Sequence, residues 1–234
     1  MEHSRTPWRR AWLAALLALA AACGSPVAPP PGTQATVPPG FPEGYYRQAR
    51  AENAGVFQVD AARSLVAIEV RRGGSLARLG HDHLVASHGV QGYVAVGRGR
   101  ADLFVPLDGL TVDEPALRAK AGLTTAVSPE AAEGTRRNML EKVLDSARYP
   151  FALIRVTGAG TDGSPVAVDL TLHGATRHYE VPVVVERSGR DLVISGRMKV
   201  RQTEFGIAPF AVLGGALRVE DEVSMDFRVV TAGS

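Results

Sequence analysis

Val166-Ala167-Val168-Asp169-Leu170-Thr171-Leu172-His173 decides the fold class. Val166, Val168, Leu170 and Leu172 occupy alternate positions, with Ala167, Asp169, Thr171 and His173 between them. Successive side chains of a strand point to opposite faces, so the stretch predicts a strand with one face in a core. Turn chemistry brackets it, with Thr161-Asp162-Gly163-Ser164 before and His173-Gly174 after.

The same period recurs in both directions. Val66, Ile68 and Val70 oppose Glu69 and Arg71. Val90, Val94 and Val96 keep Gly92 in register, and Leu103, Val105 and Leu107 alternate with Asp102, Phe104 and Pro106. Further on, Ile194, Met198 and Val200 oppose Ser195, Arg197, Lys199 and Arg201, and Val223, Met225, Phe227 and Val229 oppose Ser224, Asp226 and Arg228. Ser188-Gly189 and Gly214-Gly215 mark further turns. Two stretches break the pattern. Ser128 to Ala147 reads as a helix, with Ser128 as N-cap, Pro129 behind it and Met139, Leu140, Val143 and Leu144 at helical spacing. Pro115 to Ala121 reads as one or two helical turns. Strands, a helical insertion and more strands in hairpin-like succession predict a mainly all-β, antiparallel sandwich or barrel.

The N-terminus carries a different message. Arg5, Arg9 and Arg10 precede the apolar run Ala11 to Ala22, and the single cysteine, Cys23, follows at once. A membrane span needs roughly 20 apolar residues, so this shorter run reads as a cleaved export signal over residues 1–22. Ala20-Ala21-Ala22-Cys23 resembles a bacterial lipobox, which makes Cys23 a lipid attachment point and membrane anchor. Pro26, Pro29, Pro30, Pro31, Pro38, Pro39 and Pro42 then give an extended tether over residues 23–54. The expected location is the periplasm or cell envelope of a bacterium.

Residues 1–22 hold three of the 26 Lys+Arg and one of the 24 Asp+Glu, so the remaining chain is formally neutral. That balance argues against a nucleic-acid partner, which is gripped by clustered cations. Gly-x-Ser-x-Gly, His-Glu-x-x-His and phosphate-loop patterns are missing from the sequence, and Arg71-Arg72-Gly73-Gly74-Ser75 lacks the spacing and lysine of the last. A binding protein rather than an enzyme is expected.

Six short signatures fall in order along the chain: Phe57-Gln58-Val59-Asp60 with Ser64; Leu79-Gly80-His81-Asp82; Ala147-Arg148-Tyr149-Pro150-Phe151; Leu170 to Thr176; Arg201-Gln202-Thr203-Glu204-Phe205-Gly206-Ile207; and Asp221-Glu222-Val223. Together they resemble the YceI-like family of exported proteins. The resemblance implies a lipocalin-like antiparallel β-barrel of about eight strands over residues 55–234. It also implies a polyisoprenoid, quinone-like or other long amphiphilic lipid held inside, with no further cofactor. An eight-stranded barrel is wide enough for one slender ligand.

On that reading the tunnel wall comprises Val66, Ile68, Val70, Val94, Leu103, Val105, Leu140, Leu144, Leu153, Val168, Leu170, Leu172, Met198, Phe205, Met225 and Phe227. His81, Arg155 and Arg201 are the head-group candidates; Arg197, Lys199 and Arg201 share a face that is either a head-group grip or a solvated exterior, and Arg201 is expected to pair with Glu204. His81, His83 and His88 offer an alternative, a metal-binding or redox-accessory site, since neutral imidazoles hold zinc or copper. His173 and His178 read as surface or capping residues. An interaction module with a filled interior, and a homodimer, stay open.

Overall fold

The structure is a computed structural model and describes residues 37–158 and 164–233. The signal, Cys23, the tether up to Thr36 and the Thr161-Asp162-Gly163 turn lie outside the described residues.

Folded structure begins earlier than composition suggested. Glu43–Ala51, assigned to the tether, forms helix α1 with Tyr46 and Ala49 buried. Its docking explains why: Tyr46 packs on Tyr93, Phe41 meets Phe104 edge to face, and the Tyr46 hydroxyl donates to Asp102 Oδ2 at 2.7 Å. Burial of these rings offsets part of the cost of ordering the segment.

Strands then follow: β1 (Val56–Val59), β2 (Leu65–Val70), β3 (Arg72–Gly73), β4 (His83–Ser87), β5 (Gln91–Ala95), β6 (Arg100–Pro106) and β7 (Thr111–Val112). The insertion holds α2 (Pro115–Lys120) and α3 (Pro129–Asn138), continued by a π turn over Met139–Val143. Ser128 caps α3 by accepting from the Ala131 N–H at 3.2 Å. The rest is β8 (Phe151–Thr157), β9 (Val166–Leu172), β10 (Ala175–Val181), β11 (Val183–Ser188), β12 (Asp191–Arg201), β13 (Ala211–Val212), β14 (Leu217–Val219) and β15 (Glu222–Ala232).

The main sheet is antiparallel, with order β10-β9-β8-β6-β5-β1-β15-β2-β4-β7; β12 and β11 branch from β15. β15 is its spine. One edge pairs with β12 from Val193↔Val230 to Arg201↔Glu222, and the other with β2 and then β1. β1 and β2 are two pieces of one edge, separated where Asp60 accepts from the Arg63 N–H and opens a turn. β13, β14 and β3 form a small second sheet.

The strand expectation is met in part. The described residues contain fifteen strands rather than about eight, because turns such as Ala61–Arg63 cut long strands into pieces. Among the described residues no single ladder runs right round the sheet. β10 pairs with β9 and β11 with β12, and the break falls at Pro182, which has no N–H to donate. Gly92 earns its place in β5: its φ of 132° suits glycine, and a Cβ would collide with the Asp102 carbonyl.

Candidate functional site

The inner face of the sheet encloses a cavity of about 610 Å³, within the range that holds small ligands. Strand period builds its wall. Val66, Ile68 and Val70 come from β2, Leu103 and Val105 from β6, Val168, Leu170 and Leu172 from β9, and Met225 and Phe227 from β15. Val94, Met198, Phe205 and Leu144 also line it, as sequence reasoning placed them. Many of these inward side chains are only half-buried, β2 along its whole length. Apolar groups that point inward yet keep accessible surface mark space the protein's own atoms do not fill.

Polar side chains on the wall are few: His83, Ser87, Arg100, Thr135, Asn138, Arg187 and Gln202. Val96 and Val185 line the cavity and are also exposed, so it opens to solvent where β5 ends and β11 passes. Met139, Val143 and Leu144 contribute from the C-terminal end of the helical insertion.

Several expected site residues lie elsewhere. Leu153 and Arg155 face the opposite side of β8, since Ala152, Ile154 and Val156 take the inward positions. Arg155 instead donates to Asp102 Oδ1 at 3.0 Å. Leu140 turns into the packed cluster with Leu107 and Leu110, because the π turn aims Met139 and Val143 at the cavity. Arg201 is exposed, and Glu204 accepts from the Tyr179 hydroxyl at 2.8 Å rather than pairing with it. Arg197 pairs with Asp226 and Lys199 with Glu222, both at 2.7 Å on the outer face. His81 is off the cavity wall. His88 turns away from the other two histidines to Glu114, 2.9 Å away, and leaves the expected trio. His178 sits exposed between Asp169 and Glu180.

A different polar cluster is assembled instead. His83 Nδ1 lies 2.6 Å from Asp113 Oδ2, and Asp113 Oδ1 accepts from the Leu84 N–H at 3.0 Å and from Arg118 at 2.5 Å. Arg118 also donates to the carbonyls of Asp82 and Thr125, at 2.8 and 2.7 Å. Burial pushes the Asp113 carboxyl up, but hydrogen bonds from His83, Leu84 and Arg118 overcome it and hold the group below the usual carboxylate range. His81 packs edge to face on His83, with ring centroids 4.5 Å apart, and burial followed by the neighbouring His83 lowers its pKa. Sequence reasoning missed Asp113 and Arg118, which the strand period does not mark. It also missed the inward Ile154 and Val156, whose alternation in Phe151–Thr157 was there to read.

These features define a mainly β protein built around an apolar cavity. Residues 57–231 match the YceI-like domain, and the chain belongs to that family. Among solved structures, it is similar to a polyisoprenoid binding domain from Saccharophagus degradans implicated in plant cell wall breakdown. There the TM-score is 0.55 at 14% identity, covering 76% of this chain and 98% of that one. BcnA of Burkholderia cenocepacia is similar with a TM-score of 0.51 at 18% identity, covering 74% and 99%. At such identities the likeness is one of fold. No curated protein matches the chain.

Proposed function

We propose that this protein binds one long amphiphile, a polyisoprenoid, quinone-like or similar lipid, with its apolar tail in the cavity. The observation that carries this is the 610 Å³ space walled almost wholly by aliphatic and aromatic side chains. A tail losing about 300 Å² of contact with water gains roughly 7 kcal/mol gross, before ordering costs. The Saccharophagus degradans domain of similar fold is described as polyisoprenoid binding, which favours the same ligand class here. In use the sheet acts as a barrel, the chain itself crossing the seam at Pro182 between the β9–β10 and β11–β12 ladders. The N-terminal pattern supports export and a lipid anchor on Cys23, which would hold a carrier of insoluble ligands beside a membrane.

Native mass spectrometry of protein purified from membranes, followed by lipid extraction, tests both parts. A co-purifying lipid and an acylated mature N-terminus at Cys23 are expected. Repeated recovery of empty protein that takes up no prenyl or acyl probe overturns the carrier role, and an unmodified Cys23 overturns the anchor.

A further inference from the structure

At the polar margin of the cavity, where His83 joins the wall, one group of three metal-ligating side chains converges among the described residues: His81, His83 and Asp113, with candidate ligand atoms all within 4.8 Å of one another. His81 Nε2 is buried and has no hydrogen-bond partner among the described residues. An orphaned buried imidazole nitrogen is costly unless something is to be placed on it.

His83 is already dressed for the same task. Asp113 accepts from the Leu84 N–H and from Arg118, so it acts as a carboxylate acceptor, and the 2.6 Å contact makes His83 Nδ1 the proton donor. In a neutral ring this leaves Nε2 with its lone pair free. A metal-ligating histidine typically donates its other N–H to a carboxylate, which fixes ring and tautomer. From these two observations we infer that His81 and His83 are the nitrogen ligands of a divalent transition-metal site, with Asp113 as the residue that positions His83.

Charge selects the class of ion. Asp113 is balanced by Arg118, and Asp82 lies beside Arg72, whose Nε is 3.8 Å from Oδ1. The neighbourhood offers no surplus of negative charge for a hard cation, so imidazole donors decide, which favours Cu²⁺, Ni²⁺ or Zn²⁺ over Ca²⁺ or Mg²⁺. Ligand nitrogens in a tetrahedral site with bonds of about 2.0–2.1 Å stand about 3.4 Å apart. The cluster's candidate ligand atoms all lie within 4.8 Å of one another. Water or a small anion completes the coordination.

The test uses untagged protein, stripped by chelator and titrated with Cu²⁺, read by calorimetry and by electron paramagnetic resonance. One equivalent with a two-nitrogen pattern is expected. His81→Ala should lower affinity at least about tenfold and remove one nitrogen from the spectrum. Asp113→Asn should weaken binding about 10- to 100-fold while keeping both nitrogens. His88→Ala and His178→Ala should bind as the parent does. His81 makes no hydrogen bond through Nε2, so its alanine variant is the decisive one if changes at His83 or Asp113 impair folding. Parent-like binding by His81→Ala, loss of binding in His178→Ala, or no saturable binding by the parent overturns the site. The titration involves no lipid, so its outcome is separate from that of the carrier reading.

Discussion

Val94→Phe distinguishes an unfilled interior from a packed one by the sign of its effect. Val94 faces the cavity from β5, is half-buried, and stands opposite the small Ala101 of β6. If the space beyond it is unoccupied, the ring extends into it. At about 0.8 kcal/mol per buried carbon, with part of the new surface still wet, the lipid-free protein gains about 1–2 kcal/mol. In a domain of this size each kcal/mol moves Tm by about 2–4 °C, so a rise of a few degrees is expected. The same ring takes the place of ligand carbons. With a prenyl probe at 100 times its Kd, the parent should gain about 2.7 kcal/mol by mass action, and the variant much less. Scanning calorimetry of delipidated parent and variant, with and without probe, reads both quantities. If the wall is already packed, overpacking costs 1–3 kcal/mol instead. A fall of several degrees together with undiminished probe binding would refute the reasoning.

Other perturbations probe the supports of the site. Tyr46→Phe removes a hydrogen bond to buried Asp102 and should cost about 1–3 kcal/mol in urea unfolding, with faster amide exchange across α1. Burial raises the Asp102 carboxyl, but Arg100, Tyr46 and Arg155 overcome this and hold its pKa below the ordinary value. Its stabilisation is therefore complete above about pH 4, the unfolded value, and is lost as pH falls through the folded value. Urea midpoints from pH 7 to pH 2 should show that loss, with a shallower acid limb in Asp102→Asn. Gly196 stands opposite Phe227, and a Cβ there would lie 2.5 Å from the ring and 2.8 Å from the Pro182 carbonyl. Gly196→Val should cost about 1–3 kcal/mol by thermal melt and disturb probe binding by displacing Phe227.

How much the sequence disclosed follows from which signals are local. Strand period is local, so the inward sets of β2, β9 and β15 were readable from Val66, Val168, Met225 and their neighbours two residues on. Helix phase was less secure: the π turn after Asn138 shifts the repeat, and Leu140 leaves the wall that Met139 and Val143 join. Long-range pairing left no trace. Asp113 and His83 are 30 residues apart, and Tyr46 and Asp102 are 56 apart. The proline-rich run therefore concealed a docked helix, and the spacing of His81, His83 and His88 suggested a trio that the fold divides.

The size of the cavity constrains what the working state contains. An apolar void left inside a protein costs about 24 cal/mol per Å³, so 610 Å³ held empty would cost on the order of 15 kcal/mol. That matches the upper end of the stability of a typical domain, about 5–15 kcal/mol. The opening beside Val96 and Val185 lets water enter part of the space, which lowers the cost, but water against Ile68, Leu103, Leu170 and Phe227 gains few hydrogen bonds. A guest with the wall's own polarity removes the penalty and supplies the missing contacts. The lipid-bound protein should therefore melt well above the delipidated one, and the gain should grow with each isoprene or methylene unit until the chain outruns the cavity. A series of probes of increasing length shows that saturation as a plateau in Tm, and a Tm indifferent to probe length would mean that the interior is not where they bind.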